Sequence, residues 1–239
     1  MPAATVTPTF TAMLTSTIMD DQRDLLRLLT WLSPSFPVGA FSYSHGLEWA
    51  VEAEEVRDRA SLLAWVEDVV AHGAGRNDLV LMTEAWQAAR AQDASRLSAV
   101  AELAVALSPS SERALETEAQ GEAFRQAVGT AWPEATCDLQ GVPYPIAVGV
   151  AAAGCRVALM PALTAYLHAL AANLVSAGLR LIPLGQSDGV RILAALEAPV
   201  LAQAEWAASS SLDDLGGFSM IADIASMRHE TQYTRLFRS

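Results

Sequence analysis

Residues 157–179 contain no Asp, Glu, Lys or Arg, and the run is bracketed by Arg156 and Arg180. A helix of about 20 apolar residues is long enough to cross a bilayer, so this chain either enters a membrane here or builds a body around the run. Pro161, His168 and Asn173 interrupt it, and much of its apolar content is alanine. Polar side chains near a bilayer midplane are costly and rare. The run is therefore read as the buried central helix of a globular domain. It starts near Pro161, which suits a first-turn position, and carries His168 as a hydrogen-bonded core histidine.

The rest of the chain supplies helices to surround it. Apolar residues make up 52% of the 239 positions, and the dominant types, alanine and leucine, lose little entropy on entering a helix. Leu25, Leu28, Leu29 and Leu32 share a helical face over residues 21–32. Pro34, Pro37 and Gly39 then break the helix. A short helix is expected over 44–53. A clearer one carries Leu62, Leu63, Trp65, Val66, Val69 and Val70 as an apolar stripe, with Glu67 and Asp68 opposite and His72 at its C-terminal end. Asn77 or Asp78 is placed as the cap of a helix reaching residue 90. Further helices are expected over 94–107, 110–131 and the Ala/Val-rich stretch ending at Gly154, and then over 187–196 and 199–211. No strand-like alternation longer than a few residues and no internal repeat appears. The expectation is an all-α, single compact domain of about nine or ten helices. Residues 1–20 form a disordered leader, 21–227 the helical body, and 228–239 a C-terminal tail, with both ends flexible.

The formal net charge is −12. That balance disfavours nucleic acid and anionic membrane surfaces as partners. All 15 basic residues are arginine, which reflects either a coding bias or a use for planar, bidentate pairing with carboxylates. Cys137 and Cys155 lack C-x-x-C spacing and are too few for a disulfide framework. They are read as buried, reduced thiols in a reducing compartment. Residues 1–19 contain no basic residue and lack the n-region of a signal peptide.

Catalytic motifs are missing. With no lysine, the lysine-bearing phosphate loop cannot be built. His229-Glu230 begins an H-E-x-x-H pattern, but Tyr233 stands where the second histidine belongs. There is no G-x-S-x-G elbow, and His45, His72, His168 and His229 lack ligand spacing. No cofactor, metal or catalytic residue is assigned.

Three segments carry identity instead. Residues 32–48 set Phe36, Phe41 and Tyr43 around a proline-braced loop, with Tyr43 and His45 offering polar tips and Glu48 closing the segment. The loop is either a rigid connector or a shaped contact surface. Residues 173–189 read as core helix running into a turn, with Gln186 and Asp188 available as exposed groups. Residues 227–239 mix Arg228, Arg235 and Arg238 with His229, Glu230, Tyr233, Leu236 and Phe237 in an otherwise acidic protein. Arginine and aromatic residues are enriched at interface hot spots. This end either packs on the acidic body or stays loose until it docks on a partner.

These segments resemble, in order, the S-P-x-x-P-x-G-x-F-x-x-S-x-G-L-E, N-x-V-S-A-x-x-R-L-x-P-L-G-Q and H-E-x-Q-Y-x-R-L-F-x-S stretches of the urease accessory protein UreF family. Ala40, His45 and Val190 depart from that pattern, and Ala40 is tolerable only with a negative φ. The resemblance implies a cytoplasmic, non-catalytic, helical protein that dimerises and binds UreD/UreH. The complex then recruits the GTPase UreG, with modulation of its GTP hydrolysis among the implied roles, and acts on apo-urease during nickel insertion. It implies partner contacts at Phe36, Phe41, Tyr43, His45, Glu48, Arg228, His229, Glu230, Tyr233, Arg235, Leu236 and Phe237. The alternative is a nickel-binding chaperone using His45 and His229.

Overall fold

In the computed structural model, residues 10–239 are described, with side chains from residue 21 onward. Of the leader expected over 1–20, residues 1–9 therefore lie outside the described residues, and residues 10–20 are described only as backbone of the first helix, α1 (Phe10–Trp31). There follow α2 (Leu47–Glu52), α3 (Arg59–Ala71), α4 (Ala74–Ala91), α5 (Ala94–Ala106) and α6 (Ser111–Gly129). The series is completed by α7 (Tyr144–Gly154), α8 (Leu159–Leu181), α9 (Gln186–Ala207) and α10 (Met220–His229). No strand occurs among the described residues.

The charge-free run is α8, and it lies inside the body. Helices α2, α3, α4, α7 and α9 all pack on it, burying Leu163, Tyr166, Leu167, Leu174 and Val175. It is long and apolar enough to span a membrane, yet its apolar face is occupied by protein. His168 corrects the expectation of a core histidine: it falls on the outward face of α8 and is exposed.

Helix α7 is the second central element. Ile146, Val148 and the alanines at 151–153 are buried all round, as expected of a helix without a polar face. It packs most extensively on α4. The approach depends on Gly149, where an added Cβ would sit 2.7 Å from the Met82 carbonyl oxygen.

Several termini follow from local chemistry. Asp58 caps α3 by accepting the Ser61 N–H at 2.8 Å, while Ser61 Oγ accepts the Asp58 N–H, a reciprocal capping box. Asp93 and Ser110 cap α5 and α6 with a single bond each, accepting the N–H of Arg96 and of Arg113. The cap expected at Asn77 or Asp78 is corrected: α4 begins at Ala74 with Gly73 as its N-cap, which places Asp78 one turn inside the helix, among the interior groups.

Two other differences have physical reasons. The helices expected over 187–196 and 199–211 are one helix, α9, with Pro199 inside it. An interior proline costs about 3 kcal/mol, but Leu196, Val200 and Ala204 on either side of it are buried, so tertiary packing carries the helix through. Helix α10 was not anticipated: the face it buries carries only Ala222, Ala225, Ser226 and His229, too small and polar to read as a core stripe, while its larger apolar residues face outward. Ala40 opens a 3-10 turn and is not among the residues with positive φ, which satisfies the condition set for it.

Candidate functional site

The second and sixth helices hold the C-terminal segment against the body. Gly46 caps α2 with φ +78°, and an added Cβ there would lie 2.5 Å from the backbone nitrogen of Ser226 in α10. Only a residue without a side chain brings α2 and α10 this close. The neighbouring His45 also adopts a left-handed φ of 56°, uncommon for a residue with a Cβ.

Around this contact, two buried carboxylates, Glu48 and Glu116, and the half-buried Glu112 receive the C-terminal residues. The two oxygens of Glu48 accept the backbone N–H groups of Leu236 at 2.6 Å and Phe237 at 2.9 Å. Glu112 pairs with Arg235 at 2.5 Å. His229, with no exposure to solvent, sits between them, with Nε2 3.1 Å from Glu48 and Nδ1 2.6 Å from Glu112. Glu116, one turn further along α6, accepts from Ser239 Oγ and also from Gln120 at 2.8 Å. Backbone bonds close the seam: Arg238 N–H donates to the Ser42 carbonyl at 2.8 Å, and Ser44 donates from both N–H and Oγ to the Ser239 carbonyl oxygen at 2.6 Å. Phe237 is buried, and the Arg180 guanidinium stacks over its ring at 4.3 Å, a cation–π contact.

This corrects the expectation of a loose tail. Residues 236–239 form a strap on the body, and the arrangement corresponds to the alternative of packing against acidic surface. A short free segment buries too little to order itself. Here, charge-assisted hydrogen bonds to carboxylates, roughly twice as strong as neutral ones, supply the difference.

Beside the strap lies a cavity of 260 Å³ under the proline loop, lined by residues that include Pro34, Phe41, His45, Asp78, Arg113, Glu116, Tyr144 and Tyr166. Burial pushes the Glu116 carboxyl up, but the Arg113 guanidinium and His45, with the Ser239 hydroxyl, outweigh it and hold the pKa at about 2. The Arg113–Glu116 pair and the His45 Nε2 contact at 2.8 Å are the geometry behind this. Burial, with Arg113 nearby, lowers the pKa of His45. A neutral ring donating from Nε2 to Glu116 agrees with its Nδ1 having no hydrogen-bond partner. Asp78 accepts from Tyr166 Oη at 2.8 Å. Burial drives its pKa up to about 6, against the pull of Arg113 and that hydrogen bond. Burial also raises the pKa of the Cys155 thiol to about 11. Both Cys137 and Cys155 are free, the first only half-buried.

The predicted contact residues divide sharply. Tyr43, His45, Glu48, His229 and Phe237 are buried, and Phe36 is half-buried against Phe124. Phe41, Arg228, Glu230, Tyr233, Arg235 and Leu236 are exposed. The first group builds the seam and the second is displayed on it. His45 and His229 engage different carboxylates, and among the described residues no group of three or more His, Cys, Asp or Glu side chains is placed to hold a metal ion. Sequence reasoning missed Glu112, Glu116, Arg113 and Asp78, all of which fall on helices as ordinary polar residues. It also missed an apolar outer face on α10, where Met220, Ile221, Ile224 and Met227 are 60, 56, 45 and 50% exposed. Their i, i+1, i+4, i+7 spacing is the signal that could have found it.

The chain is similar to known proteins over most of its length. The UreF family profile matches residues 56–197 of the chain, more than half of it. A protein of Rhodopseudomonas palustris (strain HaA2) named urease accessory protein UreF is 54% identical over 222 residues, covering 90% of this chain and 93% of its own. Proteins of the same name from Bradyrhizobium sp. (strain ORS 278) and Methylobacterium radiotolerans are each 52% identical, over 220 and 225 residues. Both alignments cover 90% of this chain, with 92% and 97% of the respective relatives.

Proposed function

Since the chain belongs to the UreF family of urease accessory proteins, we propose that it is a non-catalytic scaffold in urease maturation whose C-terminal face captures a second accessory protein. In this reading UreD/UreH docks on the outer face of α10 and the exposed strap residues. The resulting platform recruits the GTPase UreG and acts on apo-urease in the cytoplasm, with the scaffold itself working as a homodimer.

The observation that carries the reading is the row Met220, Ile221, Ile224 and Met227, each about half exposed. It lies on a helix that continues into the exposed Arg228, Tyr233, Arg235 and Leu236. Soluble proteins rarely leave a contiguous apolar row in water unless a partner covers it. Methionine, arginine and tyrosine are also types enriched at interfaces. His45 and His229, each committed to a carboxylate, serve to shape this face and not to carry nickel.

The test is a pulldown by UreD/UreH with surface variants in place of a truncation. Removing residues 228–239 would delete the buried His229 and Phe237 and confuse docking with folding. Ile224→Asp with Met227→Asp changes only exposed side chains. Loss of capture with an unchanged far-UV helical signal supports the reading, and undiminished capture overturns it. Altered GTP hydrolysis by UreG belongs to the same proposal, and timing GTP turnover in the assembled complex after replacing Arg228 and Arg235 singly would locate any contribution.

A further inference from the structure

We infer that the cavity under the proline loop is a binding site for a small organic ammonium ion, an amine with a compact aromatic or apolar body, held by buried acceptors that the fold leaves open. The inference goes beyond the proposed docking function and does not depend on it. The mouth of the cavity is formed by Pro34 and Phe41 of the proline loop and by His168 and Ser176 on the outward face of α8, all exposed. None of these belongs to the α10 row.

Three groups on the cavity wall have acceptor capacity to spare. His45 is only 7% exposed, and its Nε2 faces Glu116 at 2.8 Å. Burial and Arg113 favour the neutral ring, which carries a single N–H. With that hydrogen on Nε2, Nδ1 presents a bare lone pair, and it has no hydrogen-bond partner. Asp78 accepts the Tyr166 hydroxyl through Oδ2, and its Oδ1 receives no hydrogen bond among the described residues. Tyr144 lines the same space. Burial alone acts on its hydroxyl, which is likewise unbonded among the described residues. The charges are also unequal. Arg113 and Glu116 pair with each other, His45 is neutral, and the Asp78 carboxylate is left without a cation of its own. Its rise to about 6, caused by burial that Arg113 does not offset, is the mark of that imbalance.

An alkylammonium answers both counts, since it brings three N–H donors and one positive charge. An alcohol of the same shape supplies one donor and no charge, and a carboxylate meets Asp78 with like charge. The rings of Phe41, Tyr144 and Tyr166 line the cavity, with Tyr144 and Tyr166 at 5.5 Å between centroids, and ring faces attract cations. Leu32, Val38 and Leu170 receive the apolar body. An apolar cavity of about 150 Å³ accepts benzene, so 260 Å³ has room for about ten non-hydrogen atoms. A metal ion is a poorer match, because among the described residues no group of three or more His, Cys, Asp or Glu side chains is placed to hold one.

The experiment uses the full chain at neutral pH and three probes of one shape: phenethylamine, 2-phenylethanol and phenylacetate. Isothermal titration gives the affinities, and NMR of the tyrosine rings gives the place. The amine should bind one-to-one, shift the Tyr144 and Tyr166 resonances, and exceed the alcohol in affinity by about tenfold or more, the worth of a hydrogen bond to a charged group. Phenylacetate should not bind. Asp78→Asn keeps the shape and removes the charge, so it should weaken the amine by about tenfold or more and leave the alcohol unchanged. No binding of the amine at millimolar concentration overturns the inference and assigns the open acceptors to solvent. Equal affinity for amine and alcohol, shifts that spare both tyrosines, or undiminished amine binding by the variant overturns it as well. If Asp78→Asn fails to fold, the comparison of the three probes on the native chain decides alone.

Discussion

The carboxylate of Glu48 accepts the backbone N–H of Phe237 at 2.9 Å across 189 positions of sequence. One buried acid near the start of a six-residue helix therefore decides where the end of the chain lies.

Replacing that acid tests the relationship directly. Glu48→Ala removes the acceptor of two backbone donors and one face of the His229 site. Each donor left without its acceptor costs about 1–3 kcal/mol, and two are left here. Glu48→Gln keeps the shape and one acceptor and should cost about 1–3 kcal/mol. Urea unfolding followed by circular dichroism would rank the two. Equal midpoints for Glu48→Ala and the native chain would refute the anchoring role.

Phe237→Ala is expected to behave differently. A buried phenylalanine deleted from a core costs about 3–5 kcal/mol, but Phe237 belongs to a terminal strap whose detachment limits the penalty. The prediction is fast amide exchange at residues 236–238 with little change in the global unfolding midpoint. A large global loss would mean that the strap is integral to the body's cooperative unit.

The surface variants on α10 separate binding from stability. Ile224→Asp and Met227→Asp alter side chains about half exposed, where substitutions usually fall within about 0.5 kcal/mol of the native stability. Affinity for UreD/UreH, by contrast, should fall by about tenfold or more, as for apolar residues at the centre of an interface. Isothermal titration of each variant beside its thermal midpoint checks both halves.

Asp78 sets a pH dependence whose sign follows from burial. Its pKa is raised from 3.8 to about 6, so between those values the folded protein binds more protons than the unfolded chain, and stability falls as pH rises through that window. The shift is worth at most about 3 kcal/mol. Glu116 works in the opposite sense: lowered from 4.5 to about 2, it contributes stability that is present above 4.5 and lost as pH falls toward 2. Asp78→Asn should therefore flatten the decline between about pH 4 and 6 and raise stability at neutral pH. Urea midpoints at three pH values would show this, and a slope identical to the native one would exclude Asp78 as its source.

Much of the architecture was legible from residue order alone. The charge-free run between Arg156 and Arg180 fixed a central helix, because burying it is the cheapest fate for a segment without charge outside a membrane. The absence of lysine excluded one nucleotide site outright, whereas the caps at Asp58, Asp93 and Ser110, whose hydrogen bonds reach only three residues, were not singled out and the one cap that was, at Asn77 or Asp78, was misplaced. What tertiary structure alone decided depends on partners distant in sequence. Pro199 sits in a continuous helix because the neighbouring Leu196 and Val200 are packed away. His168 faces outward because the register of α8 is set by the helices packed around it, α1, α2, α3, α4, α7 and α9. The strap is bound and not loose because Glu112 and Glu116, unremarkable in sequence, converge on it from α6 together with Glu48 of α2. Local propensity and periodicity are written in adjacent residues; which carboxylate meets which donor is settled only when the helices pack.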